Sequence, residues 1–135
     1  MRCPIAPLAC TLLIAPSTGA QFQVWTVDDD GPADFAHLQT AIDTAADGDA
    51  LLLRGGTYGV TTLNAKRLTF LAEDGEWIIV PPPLFAESYG LALKNQSAAQ
   101  PVLILGARIA GGDNAYAIGI EDSDGLVWIQ SSTIQ

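Results

Sequence analysis

Two stretches of the sequence repeat each other in order, and this repeat limits the folds open to the chain more than any other feature. Residues 102–109 (VLILGARI) align with residues 127–134 (VWIQSSTI) at a spacing of 25, with aliphatic and small positions in register. Residues 68–72 (LTFLA) form an earlier copy at a spacing of 34, and the proline run at residues 81–83 marks an insertion that accounts for the difference. Short apolar strands that recur with a nearly constant period indicate a solenoid.

A second strand repeats in the same way. Residues 89–95 (YGLALKN) align with residues 116–122 (YAIGIED) at a spacing of 27, and the difference in spacing falls in the following turn. In a solenoid, equivalent aliphatic side chains stack on one another inside the coil, and each strand pairs in parallel with its copy in the next coil. We therefore predict an all-β fold, a right-handed parallel β-helix (solenoid). The alternative is a β-sandwich, in which this similarity would be accidental.

Residues 35–46 carry the one amphipathic helix pattern in the sequence. Asp34 precedes it as the expected N-cap, and Gly48 follows at a position suited to the left-handed backbone that ends a helix. We predict that this short helix covers the N-terminal end of the solenoid, because an open end exposes unpaired strand edges. His37 lies off the apolar face, so we predict that it is exposed. The apolar positions are Phe35, Leu38, Ile42 and Ala45.

Apolar runs bounded by turn residues predict the remaining strands. These strands lie at residues 21–27, 50–54, 66–72 and 77–80. Between them, residues 55–59 (GGTYG) predict a turn. Residues 81–88 contain three consecutive prolines and predict a loop that projects from the body.

The N-terminus has the order of residues that is typical of a secretion signal. Arg2 gives a positive start, residues 5–15 are largely apolar, and small residues follow as far as Ala20. We predict a signal peptide at residues 1–20, a mature domain at residues 21–135, and a secreted or cell-surface location, extracellular or periplasmic. The apolar run is too short to span a bilayer. Lipidation at Cys10 is the weaker alternative.

Charge and cysteine content exclude several classes of partner. The formal net charge of −9 disfavours nucleic acid, which needs a basic face. Cys3 and Cys10 both fall within the signal segment, so we predict no disulfide framework in the mature chain. From the shortness of the apolar run we also predict no transmembrane segment in the mature chain. Because His37 is the single histidine, a zinc site is not expected either.

Four short motifs follow one another between residues 27 and 58. They are VDDDGPADF at residues 27–35, LQTAI at residues 38–42, DGD at residues 47–49, and an apolar strand ending in GTY at residues 51–58. In this order they resemble the N-terminal cap and first coil of the pectin-lyase-like superfamily. The resemblance implies a parallel β-helix but leaves the activity open, since the superfamily contains polysaccharide lyases, hydrolases, esterases, phage tailspikes and surface proteins. No catalytic motif of these families matches this sequence.

Two groups of carboxylates are candidate calcium sites, because calcium prefers several oxygen ligands. The first group is Asp28, Asp29 and Asp30, with Asp34 nearby, and the second is Asp122 and Asp124, with Asp113 and Glu121 nearby. For the first group the alternative is turn formation and helix capping. For the second group it is acid–base chemistry by paired carboxylates, as in glycosidases. Calcium is the only cofactor that the sequence suggests.

Basic and aromatic side chains are candidates for contact with a polysaccharide. A basic residue would take a proton beside a uronate carboxylate in a lyase, and the alternative is a solvated surface position. Aromatic rings would stack on sugar rings, and the alternative for the two repeated tyrosines is a structural ladder. The basic candidates are Lys66, Arg67, Lys94 and Arg108; the aromatic candidates are Tyr58, Tyr89, Tyr116 and Trp128.

These observations predict a secreted or cell-surface β-helix repeat protein that is non-catalytic as it stands and binds a glycan or another cell-surface component. The alternative is the N-terminal part of a polysaccharide lyase or glycoside hydrolase whose active site lies beyond residue 135. The predicted β-helix is accordingly truncated at its C-terminus. A third hypothesis is a truncated product without a role of its own.

Overall fold

The structure is a computed structural model and describes residues 21–73, 77–79, 88–109 and 115–134. The predicted signal peptide, both cysteines, most of the predicted proline loop and Asp113 lie outside the described residues, so their predictions are not tested. In the described part of the chain, no helix has the length and apolar character needed to cross a membrane.

One short helix and twelve strands make up the described elements. In chain order they are β1 (Val24–Val27), α1 (Leu38–Thr44), β2 (Ala50–Leu53), β3 (Gly56–Tyr58), β4 (Thr61–Asn64), β5 (Thr69–Ala72), β6 (Trp77–Ile79), β7 (Ser88–Lys94), β8 (Val102–Leu105), β9 (Arg108–Ile109), β10 (Ala115–Glu121), β11 (Val127–Gln130) and β12 (Thr133–Ile134).

The strands form a solenoid, as predicted. The largest sheet has the order β1-β2-β5-β8-β11, a second has the order β4-β7-β10, and shorter pairs join β3 to β6 and β9 to β12. Every one of these pairings is parallel. Each coil therefore contributes one strand to the five-stranded sheet, one to a short pair and one to the three-stranded sheet. Strands β2 to β4 form the first coil, β5 to β7 the second, and β8 to β10 the third. Strands β11 and β12 begin a fourth.

The strand register confirms the repeat read from the sequence. Val102 pairs with Val127 and Ile104 with Ile129, as the spacing of 25 predicts. Phe70 pairs with Ile104, which confirms the earlier copy. In the second sheet Tyr89 pairs with Tyr116, and in the short pair Ile109 lies beside Ile134.

The core lies inside the coils and consists of aliphatic and aromatic side chains stacked from one coil to the next. Leu51, Phe70 and Ile104 occupy equivalent positions of β2, β5 and β8 and are fully buried. Leu63 and Leu93 form a second such stack on β4 and β7. Complete burial of a side chain of this size contributes about 1.5–3 kcal/mol. The hydrophobic core is thus continuous along the solenoid.

Bends with left-handed backbone carry the chain from one sheet to the next. Ala65, Asn95 and Asp122 directly follow β4, β7 and β10 and have φ angles of +47°, +53° and +47°. Gly106 and Ser131 follow β8 and β11 with φ angles of +67° and +52°. A left-handed residue reverses the local direction of the backbone without a long loop. The predicted equivalence of Gly106 and Ser131 is confirmed by their shared conformation.

The helix is shorter than the sequence pattern predicts, and the predicted N-cap is wrong. Helix α1 begins at Leu38, and the residue before it, His37, makes no side-chain capping bond. The Asp34 carboxylate instead accepts hydrogen bonds from the backbone N–H and the hydroxyl of Thr26, at 2.8 and 2.7 Å. Phe35 forms a parallel bridge with Val27. Pairing with β1 therefore outweighs helix formation over residues 34–37.

Two strands depart from the sequence-based expectation. The predicted turn at residues 55–59 contains β3, and β4 was not predicted. Both strands are short and rich in glycine or threonine, but each pairs with a strand of the next coil, β6 or β7. Strand formation here depends on these partners more than on the intrinsic preference of the residues.

Helix α1 covers the first coil through its apolar face, as predicted. Leu38, Ala41 and Ile42 are buried, whereas His37 is exposed. Gln39 adds a polar contact that the sequence pattern did not reveal. Its side-chain amide accepts a hydrogen bond from the backbone N–H of Thr62 at 2.8 Å and donates one to the Thr62 carbonyl at 3.1 Å. The amide thus bonds the edge of β4 as a neighbouring strand would.

We expect the Gln39→Ala variant to lower the free energy of unfolding by about 1–2 kcal/mol, because two backbone groups at the edge of β4 lose their partner. Urea denaturation measures the effect. The matched control is Thr40→Ala, an exposed position on the same helix, which should change stability by less than about 0.5 kcal/mol. Equal stability of the two variants would show that Gln39 does not protect this edge.

Candidate functional site

A groove runs along the outer face of the five-stranded sheet. Alternation along β5, β8 and β11 places Thr69, Leu103 and Trp128 side by side in register, on the face opposite the core. The groove has a volume of about 360 Å³ and is also lined by Arg67, Pro101 and Leu126. A concave, mainly apolar surface with a few polar groups is the usual form of a small-molecule or sugar site.

Trp128 gives this groove its largest accessible ring. Its side chain is 56% exposed on β11, and the neighbouring Leu126 is also exposed. An indole combines a broad apolar face with an N–H donor at its edge. A ligand with an apolar face and hydroxyl groups at its rim, such as a sugar ring, matches both features.

Arg67 supplies the positive charge of the groove. Its backbone N–H donates to the Asp47 carboxylate at 3.0 Å, which fixes the turn before β5. Gly48 lies directly against the guanidinium: a Cβ atom there would be 2.9 Å from Nη2, and its φ of +98° also favours glycine. Within the described residues no hydrogen bond engages the guanidinium, so it can donate to a ligand. None of the described residues that line the groove is acidic.

The aspartates at residues 28–30 lie close together, but the carboxylates of Asp28 and Asp29 accept hydrogen bonds from backbone N–H groups. Carboxylate oxygens of Asp28, Asp29 and Asp30 lie within 4.8 Å of one another. Asp28 accepts hydrogen bonds from the N–H groups of Asp30 and Gly31 at 3.3 and 3.1 Å, and Asp29 accepts one from Thr57 N–H at 3.0 Å. These contacts support the turn-forming interpretation. The calcium site stays a prediction.

Burial and hydrogen bonding act on Asp28 in opposite directions. Desolvation raises the pKa of its carboxyl group, but the hydrogen bonds from the Asp30 backbone, the Arg54 guanidinium and the Gly31 backbone outweigh it and lower the pKa overall. The Arg54 contact spans 3.5 Å. The lowered pKa favours the ionised form of the Asp28 carboxyl group, which accepts the hydrogen bonds that stabilise the turn.

The second acidic group does not converge. Glu121 forms a salt bridge with Lys94 at 2.7 Å, while Asp122 and Asp124 are exposed at the bend that follows β10. In the described ranges, the three aspartates at residues 28–30 are the only set of three metal-type ligands that lie together. Metal binding by Asp122 and Asp124 stays a prediction without a third ligand.

Two of the basic candidates have partners within the described residues, and the Lys94 side chain is also 41% exposed. The Lys66 ammonium donates to the carbonyls of Ile42, Ala45 and Asp43 at 2.7, 2.8 and 3.2 Å. These carbonyls lie at the C-terminal end of α1, where a cation is favourable. Lys94 is paired with Glu121. Of the candidates, Arg67 alone lines the groove.

The aromatic candidates divide into buried and accessible residues. Tyr58 is buried, with its hydroxyl 2.8 Å from the Arg54 carbonyl and 3.1 Å from that of Val27, so the prediction that it stacks on sugar is wrong. Burial, aided by nearby Asp29, raises its pKa to about 12. Tyr89 and Tyr116 form the predicted ladder, with ring centroids 5.8 Å apart.

Sequence reasoning singled out Trp128 and Arg67 separately but did not place them in one groove. Thr69, Leu103 and Pro101 were missed because nothing in their chemistry marks them. The signal was present in the repeat, since Thr69, Leu103 and Trp128 occupy the same outward position in three aligned strands.

Comparison with protein-family models, with curated proteins and with solved structures found no match. The topology alone therefore defines the class of protein: an all-β solenoid of mostly parallel sheets with one short helix.

Proposed function

We propose that the chain is an exported, right-handed parallel β-helix of the pectin-lyase-like type that binds a polysaccharide in the outer groove. The observation that carries the proposal is the exposed indole of Trp128, aligned with Leu103 and Thr69 and flanked by Arg67. The indole adjoins the exposed Leu126 in the same groove, and a contiguous apolar patch rimmed by polar groups is typical of a binding site. A sugar ring covers it with an apolar face and keeps its hydroxyl groups in water.

The repeat geometry supports a chain-like ligand. Neighbouring strands of a sheet are about 4.8 Å apart, so three equivalent outward positions extend over about 10 Å. A row of this length suits an extended, chain-like ligand better than a single small molecule. The role of Arg67 is to bond a hydroxyl or carboxylate of the chain at one end of the groove, and its charge offsets locally the net charge of −9.

The experiment is affinity electrophoresis of the full chain in gels containing pectate, alginate, xylan or a cellulose derivative. At least one polysaccharide should retard the parent, and Trp128→Ala should weaken this binding about tenfold, equivalent to about 1.4 kcal/mol. Phe22→Ala is the matched control, because Phe22 is an exposed aromatic residue that does not line the groove. Equal retardation of the parent and the Trp128 variant would refute the groove.

Arg67→Gln separates acidic from neutral ligands in the same gels. Loss of retardation in pectate or alginate alone would identify an acidic polysaccharide, because only that ligand loses an ion pair. Loss of retardation in xylan as well would show that Arg67 forms hydrogen bonds with hydroxyl groups of the polysaccharide.

A second candidate is the N-terminal part of a polysaccharide lyase or glycoside hydrolase. The observation that favours it is the exposure of Ile120 and Ile129 on the last described coil, at positions that are buried in earlier coils. A further coil would cover them and bring additional side chains to the groove. The test is whether the reading frame continues past residue 135, together with assays of pectate and alginate cleavage by the full chain.

A further inference from the structure

The groove is lined by two rows of outward positions that run across the strands of the largest sheet. The first row, described above, contains Trp128. The second row lies two residues earlier in each coil and consists of Gly48, Arg67, Pro101 and Leu126. The Gly48 N–H donates to the Arg67 carbonyl at 2.8 Å, so these two residues are direct neighbours in the row.

Arg67 extends its side chain over the one position of this row that carries no side chain. A Cβ atom on Gly48 would lie 2.9 Å from Nη2 of Arg67 and 3.7 Å from both Cζ and Nε. Favourable contacts between heavy atoms of this kind begin near 3.5 Å, so the Cβ atom and Nη2 could not both keep their places. The long arginine side chain moves more easily than the backbone of the turn, and the guanidinium would therefore be displaced.

We propose that Gly48 is a positioning residue, which places the Arg67 guanidinium at the end of the groove and thereby controls polysaccharide binding. The control of binding rests on the proposed function, whereas the placement of the guanidinium does not. With Gly48 the guanidinium lies against the backbone of the turn and leaves the space above Pro101 open. A cation that already occupies its binding position loses less conformational freedom when the ligand arrives. A larger residue at position 48 would move the guanidinium over the groove or out into solvent.

A second glycine separates this role from backbone strain. Gly48 has a φ of +98°, so any substitution there strains the turn whatever it does to Arg67. Gly106 has a φ of +67°, but a Cβ atom there would meet only the Ala72 carbonyl oxygen, at an ordinary distance of 3.7 Å. Gly106 is not among the described residues that line the groove. Gly106→Ala is therefore the matched control, since it adds strain without displacing an arginine.

Affinity electrophoresis of the full chain in pectate, alginate and xylan gels tests the effect on binding. Gly48→Ala should weaken binding in the same gels as Arg67→Gln and by a similar factor, about tenfold, while Gly106→Ala should be retarded like the parent. In the Arg67→Gln background, Gly48→Ala should cause no further loss, because it acts through the guanidinium. Urea denaturation should show comparable destabilisation of the two glycine variants. A further loss of binding in the double variant would overturn the inference.

Nuclear magnetic relaxation of the Arg67 Nε–H group, without any ligand, provides the second measurement. This group should be ordered in the parent and in Gly106→Ala, and it should become mobile in Gly48→Ala, with an order parameter below about 0.6. Equal mobility in the parent and in Gly48→Ala would overturn the inference, whatever the gels show. If no polysaccharide retards the parent, the proposed function falls, and an ordered Nε–H that Gly48→Ala mobilises still supports the placement of Arg67 by Gly48.

Discussion

Replacing Leu38 and Ile42 together by alanine is expected to destabilise the protein by about 4–10 kcal/mol, since truncation of one buried leucine or isoleucine typically costs about 2–5 kcal/mol. Both side chains are buried on the face of α1 that packs against the first coil. A domain of this size is commonly stable by about 5–15 kcal/mol, so the double variant should lose much of its stability. Thermal melting and urea denaturation measure the loss.

The two single variants keep this prediction testable if the double variant does not fold. Each should lose about 2–5 kcal/mol, while Thr40→Ala on the exposed side of the helix should stay within about 0.5 kcal/mol. Displacing the helix also removes Gln39 from the edge of β4, so sedimentation should reveal species larger than those of the parent. Melting of the double variant at the parent temperature would mean that α1 does not cover the solenoid.

Replacing Asp49 by alanine is expected to cost about 3 kcal/mol, because its carboxylate joins three parts of the N-terminal region and each buried donor would lose a charged partner. It accepts hydrogen bonds from the Gln23 and Ala46 backbone N–H groups, both at 2.8 Å, and from the Trp25 indole at 3.1 Å. The residue is buried, so these donors would lose a charged partner without gaining water freely. Urea denaturation at neutral pH measures the change.

The same carboxylate predicts a loss of stability in acid. Burial by itself raises the pKa of Asp49, but the hydrogen bonds from Gln23, Ala46 and Trp25 outweigh it and hold the pKa below its ordinary value of 3.8. A lowered folded-state pKa means that the stabilisation is complete above the unfolded-state pKa and is lost as the pH falls through the folded-state value. The free energy of unfolding should therefore fall below about pH 4.

Asp49→Asn separates this effect from general acid unfolding. The variant should be less stable than the parent at pH 7, and the difference should shrink as the pH is lowered to 3. Asp124→Asn serves as the control, because its carboxylate is exposed and accepts no hydrogen bond in the described ranges. A difference between Asp49→Asn and the parent that does not depend on pH would contradict the assigned role.

The repeat made the fold predictable because it encodes contacts between distant residues. The spacing that pairs Phe70 with Ile104, and Ile104 with Ile129, follows from aligning apolar positions, since a one-residue shift would turn each of them out of the core. Local patterns were less reliable where a partner from another coil decides the structure. Asp34 looks like an N-cap but bonds Thr26 instead.

The groove was only partly predictable for a related reason. Trp128 stood out by its chemistry, but Leu103 and Thr69 are ordinary residues whose importance comes from register. Lys66 illustrates the opposite case: a long flexible side chain reaches carbonyls 21 to 24 residues away along the chain, and no periodicity reports such a contact. The contacts that such long side chains make can be identified only from the three-dimensional structure.

The closed first end and the parallel coils together favour folding in the order of synthesis. Residues paired between neighbouring strands are separated by 19 positions, as for Ala50 and Thr69, to 34 positions, as for Thr69 and Leu103. The entropy of closing each loop therefore stays nearly constant however many coils are added. Because α1 precedes all the coils, the first coil can be sealed while the later ones are still being made. Each finished coil then offers paired strand edges to the next strand segment, so that the solenoid can grow coil by coil as the chain is made.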